Sequence, residues 1–339
     1  MKKINWFEPK IAERSKNLMI STLKSNFISE GEITKKLENK ISKFLKIKNV
    51  IMTSSGTSSI YLALRSLDIG YKDEVIVPNM TYVATLNAVK LTGARPVLVD
   101  VDLETSTISL SDLKKKISKK TKAIIFVYIS GRIGNISKIL NFAKSKKIKF
   151  IEDAAEAFGS KWNKKSLGTL GDLGCFSFTP TKIITSAQGG AVVTKNKNLA
   201  EKIKSIKDQG RTKKNKGGDD EHDLFGGNFR FNDILASVLL PQLENIKINL
   251  NKALRINRFY KKHLYDIKEL KFYNSKKGEV CIWTEVIANK RDGLFNFLLK
   301  KGVKCRKIWK PLSTLKTEKN RQKFKNSILL SKKVMWLPS

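Results

Sequence analysis

KAIIFVYISGRIGNISKILNFAKSKKIKFIED, residues 122–153, holds two short apolar runs separated by an amphipathic stretch. KAIIFVYIS carries β-branched or aromatic residues at almost every position, so both of its faces can be buried, as in the interior of a parallel sheet. SKILNFAKSK spaces its apolar residues at helical intervals, and KFIED reads as a second strand that ends on two acids. The unit is βαβ. Upstream the alternation repeats: NVIMTS then SIYLALRSL, DEVIVP then ATLNAVKLTG, RPVLVDVD then SDLKKKIS. Downstream, GCFSFTP and GGAVVT read as two more strands, and LAEKIKSIKDQG as a helix closed by Gly210. The pattern predicts an α/β fold around a parallel sheet.

Beyond it, RTKKNKGGDDEHDLFGG (residues 211–227) is polar, Gly-rich and aperiodic, and reads as a mobile loop. Helical patterns resume at FNDILASVLLPQLENI and ALRINRFYKKHLYDI. After about residue 265, VCIWTEVIA, a helix at RDGLFNFLLKKG and VKCRKIWKP suggest a smaller α/β domain. The expected division is a large domain over residues 1–245, N-terminal segment included, and a small C-terminal domain over residues 246–339.

A chain of 339 residues, 41% of them hydrophobic, can bury a large core. The opening MKKINWFEPKIAERSK has no long apolar run after its basic residues, and no eighteen uncharged apolar residues occur in a row. Neither a secretory signal nor a membrane span is expected, and a cytoplasmic location is. Cys175, Cys281 and Cys305 are odd in number and lack a CxxC spacing, and His222 and His263 are the only histidines, so no disulfide framework or metal site is expected. The formal net charge of +37 could mark a nucleic-acid partner. The lysines are spread over the polar faces of helices, however, and no aromatic-interleaved basic stripe accompanies them, which favours a solvated basic surface. Such a field would still attract a small anionic substrate.

Four places could carry chemistry. In TSSGTSSIYLAL (residues 53–64) a small polar turn opens a helix, so the groups of Ser55, Gly56 and Thr57 can converge on an anion; an ordinary helix cap is the alternative. Asp153 ends the strand KFIED at the side where open α/β sheets bind ligands, and could hold a ring nitrogen protonated or simply cap a turn. In FSFTPTKIITSAQGG (residues 176–190) Ser177 offers a hydroxyl, and Lys182, if partly desolvated, an amine able to attack a carbonyl. In GGNFRFND (residues 226–233) Asn228 and Arg230 precede a helix. A phosphate cradle, an acid for a pyridinium and a reactive lysine are together the groups that pyridoxal 5′-phosphate requires. No GxGxxG follows the first strand, which argues against a nicotinamide-dependent oxidoreductase.

The ordered motifs SSGT, PNMTYVATLNAV, EDAAEAFGS, FSFTPTKIITSAQGG and GGNFRFND resemble the DegT/DnrJ/EryC1/StrS aminotransferases, which act on nucleotide-linked keto sugars. The resemblance covers essentially the whole chain. It implies the fold type I architecture of pyridoxal-phosphate-dependent transferases: a large domain around a mostly parallel seven-stranded sheet, a smaller C-terminal α/β domain, and a homodimer with active sites at the interface. It further implies that Lys182 bonds to the cofactor, Asp153 pairs with the pyridine nitrogen, and Ser55, Gly56, Thr57 and Ser177 hold the phosphate. Tyr82 would stack on the cofactor, Glu156 would lie beside its ring, and Asn228 would reach across the dimer to the neighbour's phosphate. Within the family, IEDAAEAFGSKWNKKSLGTLGDLGCFSF is most similar to the subgroup that makes GDP-perosamine, moving the amino group of L-glutamate to carbon 4 of GDP-4-keto-6-deoxymannose. In VKCRKIWKPL, Arg306 and Trp309 would then contact substrate. Other UDP- or dTDP-linked keto sugars, aminated at carbon 3 or 4, remain alternatives. A dehydratase branch carries histidine at the lysine position, and Lys182 argues against it. The chain departs from the family pattern at Gln188, where relatives have Glu, at Leu312 and Ser313, where many have an active-site His, and at SGRIGNI (residues 130–136). It also stops at MWLPS, about one helix before such relatives end.

Overall fold

The computed structural model describes residues 3–318 and 323–339. Two N-terminal helices, α1 (Glu13–Lys24) and α2 (Glu32–Leu45), lead into the alternation read from the sequence. It runs β1 (Asn49–Thr53), α3 (Gly56–Ser66), β2 (Glu74–Pro78), α4 (Val83–Leu91), β3 (Arg95–Val99), α5 (Leu110–Lys116), β4 (Thr121–Val127), α6 (Ile136–Ser145) and β5 (Lys149–Asp153). A two-residue hairpin, β6 (Lys161–Trp162) and β7 (Lys165–Ser166), precedes β8 (Leu173–Ser177) and β9 (Gly190–Thr194). Then come α7 (Lys197–Lys207), α8 (Asp233–Glu244), the long α9 (Ile246–Leu264), β10 (Leu270–Lys271), β11 (Thr284–Ala288), α10 (Arg291–Lys300), β12 (Arg306–Lys307), α11 (Lys325–Lys333) and β13 (Val334–Leu337).

Seven strands form the main sheet in the order β1-β9-β8-β5-β4-β2-β3. Only β9 runs against the others, pairing antiparallel with both β1 and β8. The fold type I sheet, mostly parallel and seven-stranded, is therefore present. β2, β8 and β9 are buried at every position, which explains why their sequences show no polar alternation. Successive side chains still alternate between faces and feed two cores. Ile125, Ile151 and Val192 pack with α3, α4 and α7, whereas Ile124, Phe126 and Phe150 pack with α2, α6 and α8. That parity puts Asp153 on the first face and Glu152 on the second.

The N-terminal helices were legible only as a leading segment, and the start of α2 is held from far along the chain. Asp233, the first residue of α8, accepts hydrogen bonds from the N–H groups of Gly31, Ile33 and Thr34 and from the Thr34 hydroxyl. A cap of this kind, supplied from another helix, leaves no local signature. Within the segment 211–227, which carries no helix or named strand, the structure adds pairing that the sequence did not declare. Lys213 and Glu221 form a β-bridge, and Arg211 pairs with Asp220 at 2.9 Å, so charge pairs and backbone bonds fold the excursion back on itself.

The second sheet, β10-β11-β13-β12, is wholly antiparallel. It meets the main sheet through a buried ion pair between Arg132, in the loop after β4, and Glu285 on β11. Two charges withdrawn from water need further partners. Arg132 lies 3.9 Å from the Tyr273 ring centroid and donates to the Thr105 carbonyl, and Glu285 accepts from the Trp336 indole at 3.0 Å. Among the described residues no helix is long and apolar enough to cross a membrane, and no cluster of His, Cys, Asp or Glu could hold a metal ion.

Candidate active site

The ends of the parallel strands converge on a cleft of about 270 Å³. β1 delivers Ser55, which caps α3: its hydroxyl accepts from the Ser58 N–H while the Ser58 hydroxyl accepts from the Ser55 N–H. The cap leaves the first turn of α3, with Gly56 and Thr57, facing the cleft. Gly56 is required by proximity, since a Cβ there would lie 2.8 Å from the Cβ of Ser177 at the end of β8. Gly190 permits the approach from below, because its Cβ would fall 2.4 Å from the Ser55 carbonyl oxygen. A helix N-terminus pressed against a serine hydroxyl forms a cradle suited to an anion.

Asp153 closes the floor. It is 5% exposed, accepts from the Thr85 hydroxyl at 2.8 Å and from the Ala155 N–H at 3.2 Å, and its carboxyl is pushed above the usual range by burial. The hydrogen bonds and the Lys182 charge oppose that rise. Lys182 stands on the loop joining β8 to β9, where Ser186 N–H donates to the Phe178 carbonyl and Phe178 N–H to Gly189, so the loop is stapled at its base. Its Nζ lies 3.3 Å from Glu156 Oε1 and 5.2 Å from the centroid of the Trp283 ring. Glu156 also accepts from the Ser130 N–H at 2.8 Å. Burial raises its carboxyl, Lys182 and the Ser130 N–H lower it, and the nearby Asp153 raises it further. Two buried carboxyls thus lie within the field of one ammonium, which bonds to Glu156. Glu156 accepts the Lys182 hydrogen bond, and Asp153 is placed to meet a second cation.

Ser55, Gly56, Thr57, Tyr82, Asp153, Glu156, Ser177, Lys182, Arg306 and Trp309 all line this one cleft. Tyr82 is half exposed, with its ring 5.9 Å from that of Trp309. Asn228 lies elsewhere. It bridges to Asp208 and accepts from Arg230 Nε at 3.3 Å, in a strip whose neighbour Phe229 receives a hydrogen bond from the Ser54 N–H, so it sits beside β1 and not over Lys182. Gln188 is exposed and is not part of the cleft lining, Leu312 belongs to the core, and the Ser313 N–H donates to Asn79. Sequence reading missed Thr85, Thr179, Thr181 and Trp283, which also line the cleft. Thr85 follows Tyr82 by three residues at the start of α4, and helical spacing could have placed the two together. Nothing local marked Trp283, which reaches the cleft from the second sheet's side of the molecule.

The residues fit a phosphorylated pyridine aldehyde. Cradle, acid and amine share one cleft, and a Cβ at position 56 would fill the cradle. The sequence matches the DegT/DnrJ/EryC1/StrS aminotransferase family over residues 9–339. It is 38% identical over 320 residues to the GDP-perosamine synthase of Escherichia coli O157:H7, covering 93% of this chain and 87% of that one. It is 32% identical to the GDP-perosamine synthase of Vibrio cholerae, covering 91% and 85%. Among solved structures, the aminotransferase TlmJ from Streptoalloteichus hindustanus superposes with a TM-score of 0.95 at 25% identity, over 99% of this chain and 93% of that one.

Proposed function

This chain belongs to the DegT/DnrJ/EryC1/StrS aminotransferase family, and we propose that it is a pyridoxal 5′-phosphate-dependent enzyme that moves the amino group of L-glutamate to carbon 4 of GDP-4-keto-6-deoxymannose. The subgroup assignment is supported by the likeness to GDP-perosamine synthases over nine-tenths of the chain. The carrying observation is the Lys182 amine, 3.3 Å from Glu156 in the same cleft as Asp153 and the N-terminus of α3.

Bound there, the cofactor would supply an electron sink for the carbanion formed at the donor's α-carbon. The chain's own residues do the rest. Ser55, Gly56, Thr57 and Ser177 hold the phosphate, and Asp153 keeps the ring nitrogen protonated across from them. Lys182 Nζ, held beside Glu156, removes the α-proton of glutamate and redelivers it during transfer. Water supplies the keto oxygen with which 2-oxoglutarate departs; the keto sugar then enters, its carbonyl carbon receives the nitrogen and its oxygen leaves as water, while Lys182 moves protons in the opposite sense. The position of Asn228 outside its own cleft supports a homodimer in which it completes the partner's phosphate site. The division at residues 245 and 246 belongs to the same reading, and the helix break at Asn245 between α8 and α9 supports it.

The test is spectroscopic first. Protein loaded with cofactor should show a visible absorbance band that glutamate bleaches and that Lys182→Ala lacks; a band that persists in the variant overturns the lysine assignment. Mass spectrometry of incubations with a panel of nucleotide keto sugars then reads the substrate. Nitrogen appearing only on carbon-3 ketones would refute the perosamine reading and leave aminotransfer intact.

A further inference from the structure

Four of the chain's five tryptophans gather at one place, although they lie at residues 6, 283, 309 and 336. Trp283 and Trp336 rings are 4.7 Å apart, Trp309 and Trp336 4.9 Å, and Trp6 and Trp283 5.3 Å. Two cations of the cleft rest on this cluster. Lys182 Nζ lies over Trp283, and the Arg306 guanidinium lies 5.0 Å from the Trp6 ring centroid and 5.9 Å from that of Trp336. The arrangement is built by the backbone. Arg306 on β12 stands directly opposite Trp336 on β13, which puts both side chains on one face. Trp6 is brought there by the N-terminal strand, where Ile4 pairs with Val303 and the Trp6 carbonyl accepts from the Ser339 N–H at 3.0 Å.

Arg306 lacks what its neighbours have. Lys307 pairs with Asp292 at 2.6 Å, whereas among the described residues Arg306 meets no carboxylate. Its side chain is exposed and lines the cleft. The buried indole N–H of Trp283, which lines the same cleft, also has no partner among the described residues. An uncompensated guanidinium resting against indoles has surrendered mobility in advance and keeps donors free for a planar acid.

We infer that Trp6 and Trp336, backed by Trp283, form an indole seat that holds Arg306 unpaired at the rim of the cleft and thereby sets its preference for a dicarboxylate amino donor. The inference rests on the aminotransferase reading above and deepens it. A donor engaged through its amine near Lys182 leaves its carboxylates to be met elsewhere in the cleft, and among the described residues Arg306 is the lining cation that meets no carboxylate. Trp6 and Trp336 are positioning residues: they act through Arg306.

Calorimetric titration of the cofactor-loaded protein with glutarate, butyrate and GDP tests this, because none of the three can be turned over. The wild-type protein should hold glutarate about tenfold more tightly than butyrate, the scale of one charge-assisted pair. Arg306→Gln should abolish that preference. Trp6→Ala should cut it about fivefold at a temperature where circular dichroism shows the variant folded, and Trp6→Phe should restore it, since an aromatic face is what the guanidinium needs. GDP affinity should be the same in wild type and the Trp6 variants. The seat is refuted if the wild type shows no preference, if Arg306→Gln or Trp6→Ala keeps it, if Trp6→Phe loses as much as Trp6→Ala, or if GDP binding weakens in place of glutarate. The readout is a ratio of affinities, so it fails or holds independently of whether Lys182 turns over any sugar.

Discussion

Glu152 and Asp153 are consecutive residues on one strand, and burial pushes both carboxyls above their ordinary range. They nevertheless do opposite work, because the pleat sends them to opposite faces of the sheet. Glu152 has no exposed surface and is saturated: it accepts from the backbone N–H groups of Gly168, Leu170 and Gly171 and from the Tyr128 hydroxyl. It thereby ties the loop before β8 to the sheet. Asp153 has two donors, Thr85 and Ala155, and opens on the cleft. Equal burial therefore does not mean equal purpose. A buried acid whose capacity is filled by the protein is architecture, and one left with spare capacity beside an ammonium is available to a ligand.

The comparison can be broken in three places. Asp153→Asn should have the largest effect on catalysis, about a thousandfold loss in kcat/KM, the range for losing a group that holds a proton in place. Its stability should move the other way. Because burial raises the folded carboxyl, the folded state retains a proton that the unfolded chain gives up above about pH 4, so that chain-folding equilibrium weakens as pH climbs through the interval above it. The cofactor-free Asn variant should therefore gain on wild type in chemical denaturation as pH rises above about 4. A variant less stable at pH 8 would show that the acid is structurally required after all.

Glu152→Ala should do the reverse. It strands three buried backbone donors and should lower unfolding free energy by about 3 kcal/mol. Per folded molecule, kcat should stay within about threefold of wild type, the spread of a site whose own residues are intact. Full stability in denaturant titration would mean that the loop at residues 168–171 is held by something else. Thr85→Val should be the mildest. Removing the hydroxyl that fixes one Asp153 oxygen should cost about tenfold in kcat/KM, one hydrogen bond's worth, while the melting temperature barely moves. An unchanged kcat/KM would mean that Ala155 alone orients the carboxylate.

Much of this was legible beforehand, for reasons that particular residues make plain. Runs such as EVIVP and GAVVT declare themselves because a strand buried on both faces must be apolar throughout. The small polar turn at Ser55, the acid at Asp153 and Lys182 were legible because their chemistry is carried by residue type, spacing and place in the strand order. Thr85, Trp283 and the cap that Asp233 gives to α2 were not, since each acts on a partner far along the chain.

The sequence by itself determined the β-α alternation from β1 to β9, the pleat that sends 152 and 153 apart, and the residue types available for chemistry. The tertiary structure decided which of those groups meet: Lys182 with Glu156, Arg306 with the indole of Trp6, and Asn228 with neither. Periodicity is a local property of the backbone. A contact between residues 6 and 306 depends instead on closing a chain-length loop, which only the packed sheets can hold shut.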